Sequence, residues 1–311
     1  MTTGRFAPSP TGALHLGNLR TALLALCFAR ARGGRFLIRV EDLTTAPSGG
    51  HEASGTERGQ LADLRALGIV GDEAVARQSD RLATYRAAVE SLQRRGLTYP
   101  CFCTRREIRE ASRAPHGASP EGTYPGTCAS LGEAEVRRRR DAGRSPALRL
   151  AAGAARVTVH DRLAGEFSST VDDFVLQRGD GLPAYNLAVV LDDAAQGVDQ
   201  VVRGADLLET TPRQVLLYDL LGHTRPEYVH VPLVLGPDRE RLAKRHGSVT
   251  LAGLRDSGWT DEAVLRLLAS SIGVPHGAGV SSAEEVAAAF DVAALPPGPW
   301  VFDPPGAAPR S

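Results

Sequence analysis

The stretch Arg5-Phe6-Ala7-Pro8-Ser9-Pro10-Thr11-Gly12-Ala13-Leu14-His15-Leu16-Gly17-Asn18 restricts the fold more than any other part of the chain. Two prolines and Gly12 shape a turn, and Gly17 permits a close approach of backbone to whatever the turn holds. Residues 18–32 are rich in helix formers, begin at an Asn18 cap and stop at Gly33-Gly34. Phe36, Ile38 and Val40 then alternate with Leu37 and Arg39 and run into Glu41-Asp42, the pattern of a strand. Further helices are expected over 52–67 and 81–95, the second capped by Asp80 and stopped by Gly96. Strand, glycine-bearing loop, helix, strand, helix, helix is the order of a Rossmann-like α/β body with a parallel sheet. The first helix points its positive end into the turn, where an anion is favoured, although the turn is neither a P-loop nor a G-x-G-x-x-G dinucleotide fingerprint.

This opening defines residues 1–98 as the first half of a catalytic domain. Texture changes over 99–180, with short apolar runs, a Pro/Gly-rich stretch from Pro115 to Gly126, an arginine-rich helix around Arg137 to Arg140, and strands near 156–160 and 166–169. That segment reads as an inserted subdomain. Residues 181–240 resume the first fold: 185–203 have buried-strand texture, and Thr210 or Thr211 caps a helix whose early Pro212 fits a first turn and which ends before Gly222. Over 241–311 follow a basic loop, helices around 251–256 and 260–272 as a small appendage, and a tail beyond 277 with one helical piece, Ser282 to Ala289, before a Pro/Gly-rich end.

The 311 residues are 42% hydrophobic, which excludes disorder of the whole chain, and the formal charge is zero, so a polyanion would have to be held by local arginine-rich surfaces. Thirty-six basic residues include a single lysine, Lys244, in Arg241-Leu242-Ala243-Lys244-Arg245. Lysine offers a compact mobile ammonium where arginine offers a planar fork, so this position suits contact with a phosphate. No secretory apolar region opens the chain, and no apolar run reaches the roughly 18 residues of a membrane span, which places the expected location in the cytoplasm. Cys27 stands alone in an apolar helix, whereas Cys101, Cys103 and Cys128 group together. Three thiolates suit a structural zinc, with Tyr124, His116 or water as the fourth ligand.

The segment from Arg5 to Asn18 resembles the HIGH motif of class I aminoacyl-tRNA synthetases in their glutamyl and glutaminyl branch. The resemblance continues through Glu41-Asp42, Leu182 to Asp193 and Val202 to Leu207, and Arg241 to Arg245 falls where that branch has its KMSKS-type loop. Arg241 replaces the first lysine of that loop and Ala243 its serine, while Lys244 matches the second lysine. The resemblance implies catalytic roles for His15 and Lys244, ATP contacts from His15, Gly17, Asn18 and Lys244, and magnesium with the ATP. It also implies a glutamate pocket lined by Arg5, Phe6, Ala7, Pro8, Ser9, Glu41, Tyr185 and Arg203. The charges suit that substrate: Glu41 faces an α-ammonium, Arg5 and Arg203 can pair with carboxylates, and Ser9 and Tyr185 add hydroxyls.

Cys-x-Cys followed by Tyr-x3-Cys is similar to the metal site of the small glutamyl-queuosine tRNA(Asp) synthetase family, which selects Tyr124 beside Cys101, Cys103 and Cys128. The chain also stops soon after the Lys244 loop, where ordinary glutamyl-tRNA synthetases continue into an anticodon-binding region. What this implies is a monomeric ligase that activates L-glutamate with ATP and esterifies the queuosine base at the wobble position of tRNA(Asp). Three alternatives are a truncated glutamyl-tRNA synthetase charging tRNA(Glu), a nucleotidyltransferase of another kind, and a noncatalytic RNA-binding relative.

Overall fold

The computed structural model describes residues 2–43, 54–104, 106–108, 124–242, 249–275 and 279–303. Lys244 and His116 lie outside the described residues. A mostly parallel sheet of seven strands forms the body. Its strands are β1 (Thr3–Phe6), β2 (Arg35–Val40), β3 (Ala76–Arg77), β6 (Arg156–Asp161), β7 (Gly165–Thr170), β9 (Gln200–Gly204) and β10 (Glu227–Val231), in the order β3-β2-β1-β9-β10-β6-β7. All neighbours are parallel except the β6/β7 hairpin. A separate antiparallel sheet joins β4 (Thr98–Cys101), β5 (Ala147–Leu150) and β8 (Val175–Gln177), and β11 (Val234–Leu235) pairs with β12 (Trp300–Val301).

The α/β expectation is met, and alternation along the strands shows how. Phe36 and Ile38 enter one hydrophobic core and Leu37 the other; Val202 and Val201 divide in the same way, as do Val229 and Tyr228. The first core is covered by α1 (Leu16–Arg30), whose Leu19, Leu23 and Leu26 are fully buried, and by α7 (Leu251–Asp256), α8 (Asp261–Ser271) and α9 (Ala283–Ala289). The second is covered by α3 (Leu82–Arg94), α5 (Tyr185–Ala195) and α6 (Thr211–Leu221). Two further helices are α2 (Gly55–Ala66) and α4 (Glu133–Asp141). Burying both faces explains why the central strands read as nearly continuous apolar runs. At the end of α1 the chain turns back so closely that a Cβ on Gly34 would stand 2.5 Å from the carbonyl oxygen of Thr2. No helix among the described residues is long and apolar enough to cross a membrane.

Three local expectations change. Residues 185–195 form α5 rather than a strand, because Leu187 to Asp193 are all buried and a helix buried all round has no polar stripe to reveal its period. Helix α1 starts at Leu16 with His15 as its N-cap, and Asn18, in the first turn, accepts the His15 backbone N–H at 3.2 Å through its side-chain oxygen. Asp80 does not cap α3: Gln78–Arg81 is a 3-10 turn, and Arg81 is the cap residue. By contrast Ser54, Thr250, Thr260 and Ser282 each accept an N–H from the first turn of the helix that follows, as side-chain caps do. The β6/β7 hairpin lies within the stretch expected to form an insertion, yet β6 pairs with β10 through Asp161 and Tyr228 at the edge of the main sheet.

Candidate functional site

The order in which strands are added reverses between the parallel strands β1 and β9: β1 leads through α1 to β2 on one side, while β9 leads through α6 to β10 on the other. Ligands of open parallel sheets sit at such a switch point, beyond the carboxyl ends of the strands. A cavity of about 220 Å³ occupies this place. Arg5, Phe6 and Ala7 enter it from the end of β1, Glu41 from just beyond β2, Tyr185 from the first turn of α5 and Arg203 from β9. Pro8 does not line it, but its carbonyl accepts the Glu41 backbone N–H at 2.9 Å and so holds that carboxylate's backbone in place. Ser9 lines an adjoining cavity of about 510 Å³, which shares Glu41 and Tyr185 with the first and extends to Cys101, Cys103, Arg149 and Arg178.

The charges in the first cavity are buried and unequal. Asp193, on α5, accepts from Arg5 Nε at 3.1 Å and pairs with Arg39 Nη1 at 2.7 Å, while Arg39 Nη2 reaches Glu41 at 3.3 Å. Burial raises the Glu41 carboxyl, opposed by Arg39 and Arg5; burial also works against the Asp193 carboxylate, but the two guanidinium groups outweigh it and hold its pKa low. Arg203 differs from its neighbours. Its side chain donates to His230 Nε2 at 3.1 Å, Gln214 Oε1 at 2.8 Å, Thr211 Oγ1 at 2.8 Å and the Tyr185 hydroxyl at 3.5 Å. Every one of these partners is uncharged, and among the described residues no carboxylate lies within ion-pair distance of this 5%-exposed guanidinium. An unpaired buried charge costs several kcal/mol, so a cation held this way is matched to an anion that arrives. Arg5 and Arg39 are thus paired with Asp193, Glu41 and, at 3.8 Å, Asp192, while Arg203 is the one of the three without an acidic partner among the described residues. A ligand with one ammonium and two carboxylates complements that arrangement.

At the other end of the cavity lie His15, Gly17 and Asn18, at the N-terminus of α1. A Cβ on Gly17 would press on the His15 ring, at 3.3 Å from Nδ1, and would meet Val234 at an ordinary contact distance of 3.5 Å. Burial and the nearby Arg241 push the His15 pKa down, and its Nδ1 is buried with no hydrogen-bond partner. A neutral imidazole at a helix N-terminus is suited to donate a hydrogen bond to a phosphate oxygen. Arg241, at the rim, pairs with Asp206 at 2.9 Å.

The cysteines converge as well. Cys101 ends β4, Cys103 follows after one residue and Cys128 approaches from a turn; their sulfurs all lie within 4.8 Å of one another. The Tyr124 hydroxyl is 3.3 Å from Cys101 Sγ and 3.7 Å from Cys103 Sγ, and Cys103 and Cys128 are 3.5 Å apart. A tetrahedral zinc with Zn–S of about 2.3 Å separates its sulfurs by roughly 3.8 Å, so the cluster could hold a metal of this size. Tyr124 is held in turn by Arg149, whose guanidinium lies 3.6 Å from the ring centre.

The sequence leaves Asp161, Gln214 and His230 without roles, marks Asp193 only as part of the Leu182 to Asp193 stretch, and offers Thr211 only as a helix cap, whereas its hydroxyl accepts from Arg203 and the helix has no side-chain cap. His230, a polar residue inside the strand Tyr228-Val229-His230-Val231, was the visible signal.

Residues 1–305 match the family model described as tRNA synthetases class I (E and Q), catalytic domain. The chain is 56% identical over 299 residues to a glutamyl-Q tRNA(Asp) synthetase of Nocardia farcinica, covering 96% of this chain and 92% of that one. A protein of the same name from Symbiobacterium thermophilum is 46% identical over 308 residues, covering 95% and 94%. Among solved structures, a glutamate tRNA ligase from Elizabethkingia meningosepticum, in complex with its amino acid, superposes with a TM-score of 0.80 at 29% identity, over 97% of this chain and 67% of that one.

Proposed function

Because this chain belongs to the class I tRNA synthetase family of the glutamyl and glutaminyl enzymes, we propose that it activates L-glutamate with ATP and transfers it to the queuosine base at the wobble position of tRNA(Asp). The chain is a ligase, and its extensive identity with proteins named glutamyl-Q tRNA(Asp) synthetase supports this acceptor over tRNA(Glu). The observation that carries the glutamate assignment is Arg203, a buried guanidinium surrounded by uncharged partners in a cavity that also holds Arg5 and Glu41.

In this reading Glu41 receives the α-ammonium, Arg5 and Arg203 the carboxylates, and Tyr185 and Ser9 add hydroxyl contacts. The α-carboxylate oxygen of glutamate attacks the α-phosphorus of ATP, the bond to the bridging oxygen breaks, and pyrophosphate leaves; magnesium bound with the ATP would offset the phosphate charge. His15 and the N-terminus of α1 meet the phosphate charge as it redistributes, and Lys244 contributes its ammonium from the loop. This is catalysis by positioning and electrostatics, with no protein nucleophile. A hydroxyl of the cyclopentene-diol ring then attacks the activated carbonyl and displaces AMP, its proton passing to solvent. The larger cavity, continuous with Glu41 and Tyr185, gives the acceptor its approach. Zinc held by Cys101, Cys103, Tyr124 and Cys128 would supply a structural crosslink beside that approach. The protein acts in the cytoplasm as a monomer.

Pyrophosphate exchange into ATP, measured without tRNA, tests the first half. Exchange should depend on glutamate and be weak with glutamine, because a carboxamide leaves Arg203 uncompensated. Equal exchange with both amino acids would contradict the assignment.

A further inference from the structure

Arg203 is oriented by a chain of contacts that draws on three strands. Its Nε donates to His230 Nε2 at 3.1 Å, and His230 Nδ1 lies 2.6 Å from Asp161 Oδ2. Arg203 comes from β9, His230 from β10 and Asp161 from the end of β6. The histidine and aspartate side chains are both inaccessible to solvent. Asp161 is itself fixed: its Oδ1 accepts the backbone N–H groups of Leu163 and Ala164 at 2.9 and 2.8 Å, and its Oδ2 accepts that of His230 at 3.0 Å. Burial works against the Asp161 carboxylate, but its hydrogen bonds with the His230 side chain and with the backbone N–H groups of Ala164 and Leu163 outweigh it and hold its pKa low, so it stays ionised and only accepts. The proton between Asp161 and His230 therefore sits on Nδ1, and the Nε2 lone pair is left to face Arg203.

We infer that His230, locked by Asp161 as the Nδ1–H tautomer, is a positioning residue that aims Arg203 at the substrate's carboxylate without neutralising it. The inference rests on the glutamate reading and deepens it. A carboxylate placed directly on Arg203 Nε would orient the guanidinium equally well, but would compete with the substrate for its charge. The neutral imidazole removes that competitor and keeps the anchoring anion one ring away. Gln214 and Thr211 perform the same neutral anchoring on the other two nitrogens, so all three are held while the charge stays available. Selection of a carboxylate over a carboxamide then depends on His230, a residue that need not touch the ligand.

The test compares the unsubstituted protein with His230→Leu, which removes the acceptor, and His230→Gln, whose side-chain oxygen can replace it. Glutamate and glutamine exchange kinetics are measured for all three, with glutamate binding followed by calorimetry. Nitrogen-15 spectra of the unsubstituted protein at neutral pH report the tautomer, with the His230 signal assigned by its loss in His230→Gln. His230→Leu should raise KM for glutamate about tenfold or more, the scale of a hydrogen bond to a charged group, while kcat changes little and the preference over glutamine narrows. His230→Gln should recover most of the KM, and the spectra should show the proton on Nδ1. Unchanged KM in both variants, equal defects in both, or a loss confined to kcat would overturn the inference. So would a proton on Nε2, which is decisive even if His230→Leu does not fold. If the unsubstituted protein binds no glutamate, the functional reading fails and the inference fails with it; if it does and the variants match it, only the inference fails.

Discussion

Arg5, Glu41, Tyr185 and Arg203, which the resemblance groups together because each sits in a short motif, do line one cavity. The residues that hold them were not legible in the sequence. His230 lies 27 positions from Arg203 and 69 from Asp161, and a hydrogen bond across such separations leaves no spacing to read. The same buried residue makes stability depend on pH. Burial lowers the His230 pKa, with Arg203 acting in the same direction and Asp161 and Asp206 opposing; Thr211 and the stacked Tyr228 are its uncharged neighbours. His15 is also lowered, by burial and Arg241. For both, the unfolded chain binds the proton more readily, so stability is present above the ordinary histidine value of about 6.5 and is lost as pH falls from there through the folded values. Asp161, whose pKa is lowered, contributes a separate loss only below the ordinary carboxylate range. Melting temperatures between about pH 8 and pH 5.5 should therefore fall on acidification, and His230→Gln should flatten part of that fall. Parallel curves for the two proteins would contradict the role given to His230 in acid sensitivity.

At the scale of elements, helix-forming composition and glycine stops located most helices, the caps named from the sequence did not, and α5 shows where composition fails too. Its run of Leu187 to Leu191 carries no polar face, since α5 is packed between the sheet, α3 and α6. Asp192 in the same helix is satisfied internally, by Gln78, Arg81 and Tyr85. The cysteine-bearing element is different in kind. Cys101, Tyr124 and Cys128 form a small buried cluster of their own, with Tyr99, Cys103, Ile108 and Leu131 against it. So little apolar burial stabilises weakly, and a metal ion would supply the missing constraint. Prolonged chelation should expose residues 102–132 to protease before the rest of the chain. It should reduce transfer to tRNA more than tRNA-independent exchange. Retention of full protease resistance in verified metal-free protein would show that the cluster folds without an ion.

Over the whole molecule, the cavity exists because one sheet is covered on both faces and its strand order reverses between the parallel strands β1 and β9. The parallel sheet and its order of elements could be read from the turn at Pro8 to Gly12 and from the alternation in β2. The edge position of the β6/β7 hairpin could not, since β6 joins β10 from 66 or more positions away in sequence. That pairing matters for the proposed function, because it brings Asp161 within 2.6 Å of His230, which in turn contacts Arg203 of the cavity. A neutral chain likewise gives no global sign of a polyanionic partner. The acceptor is therefore the part of the account that most needs a direct test. Radiolabelled glutamate should be offered with queuosine-containing tRNA(Asp), queuosine-free tRNA(Asp) and tRNA(Glu), and the product digested to locate the label. The account predicts labelling of the first tRNA alone, with glutamate released on the wobble nucleoside; label on the terminal adenosine, or charging of tRNA(Glu), would contradict it.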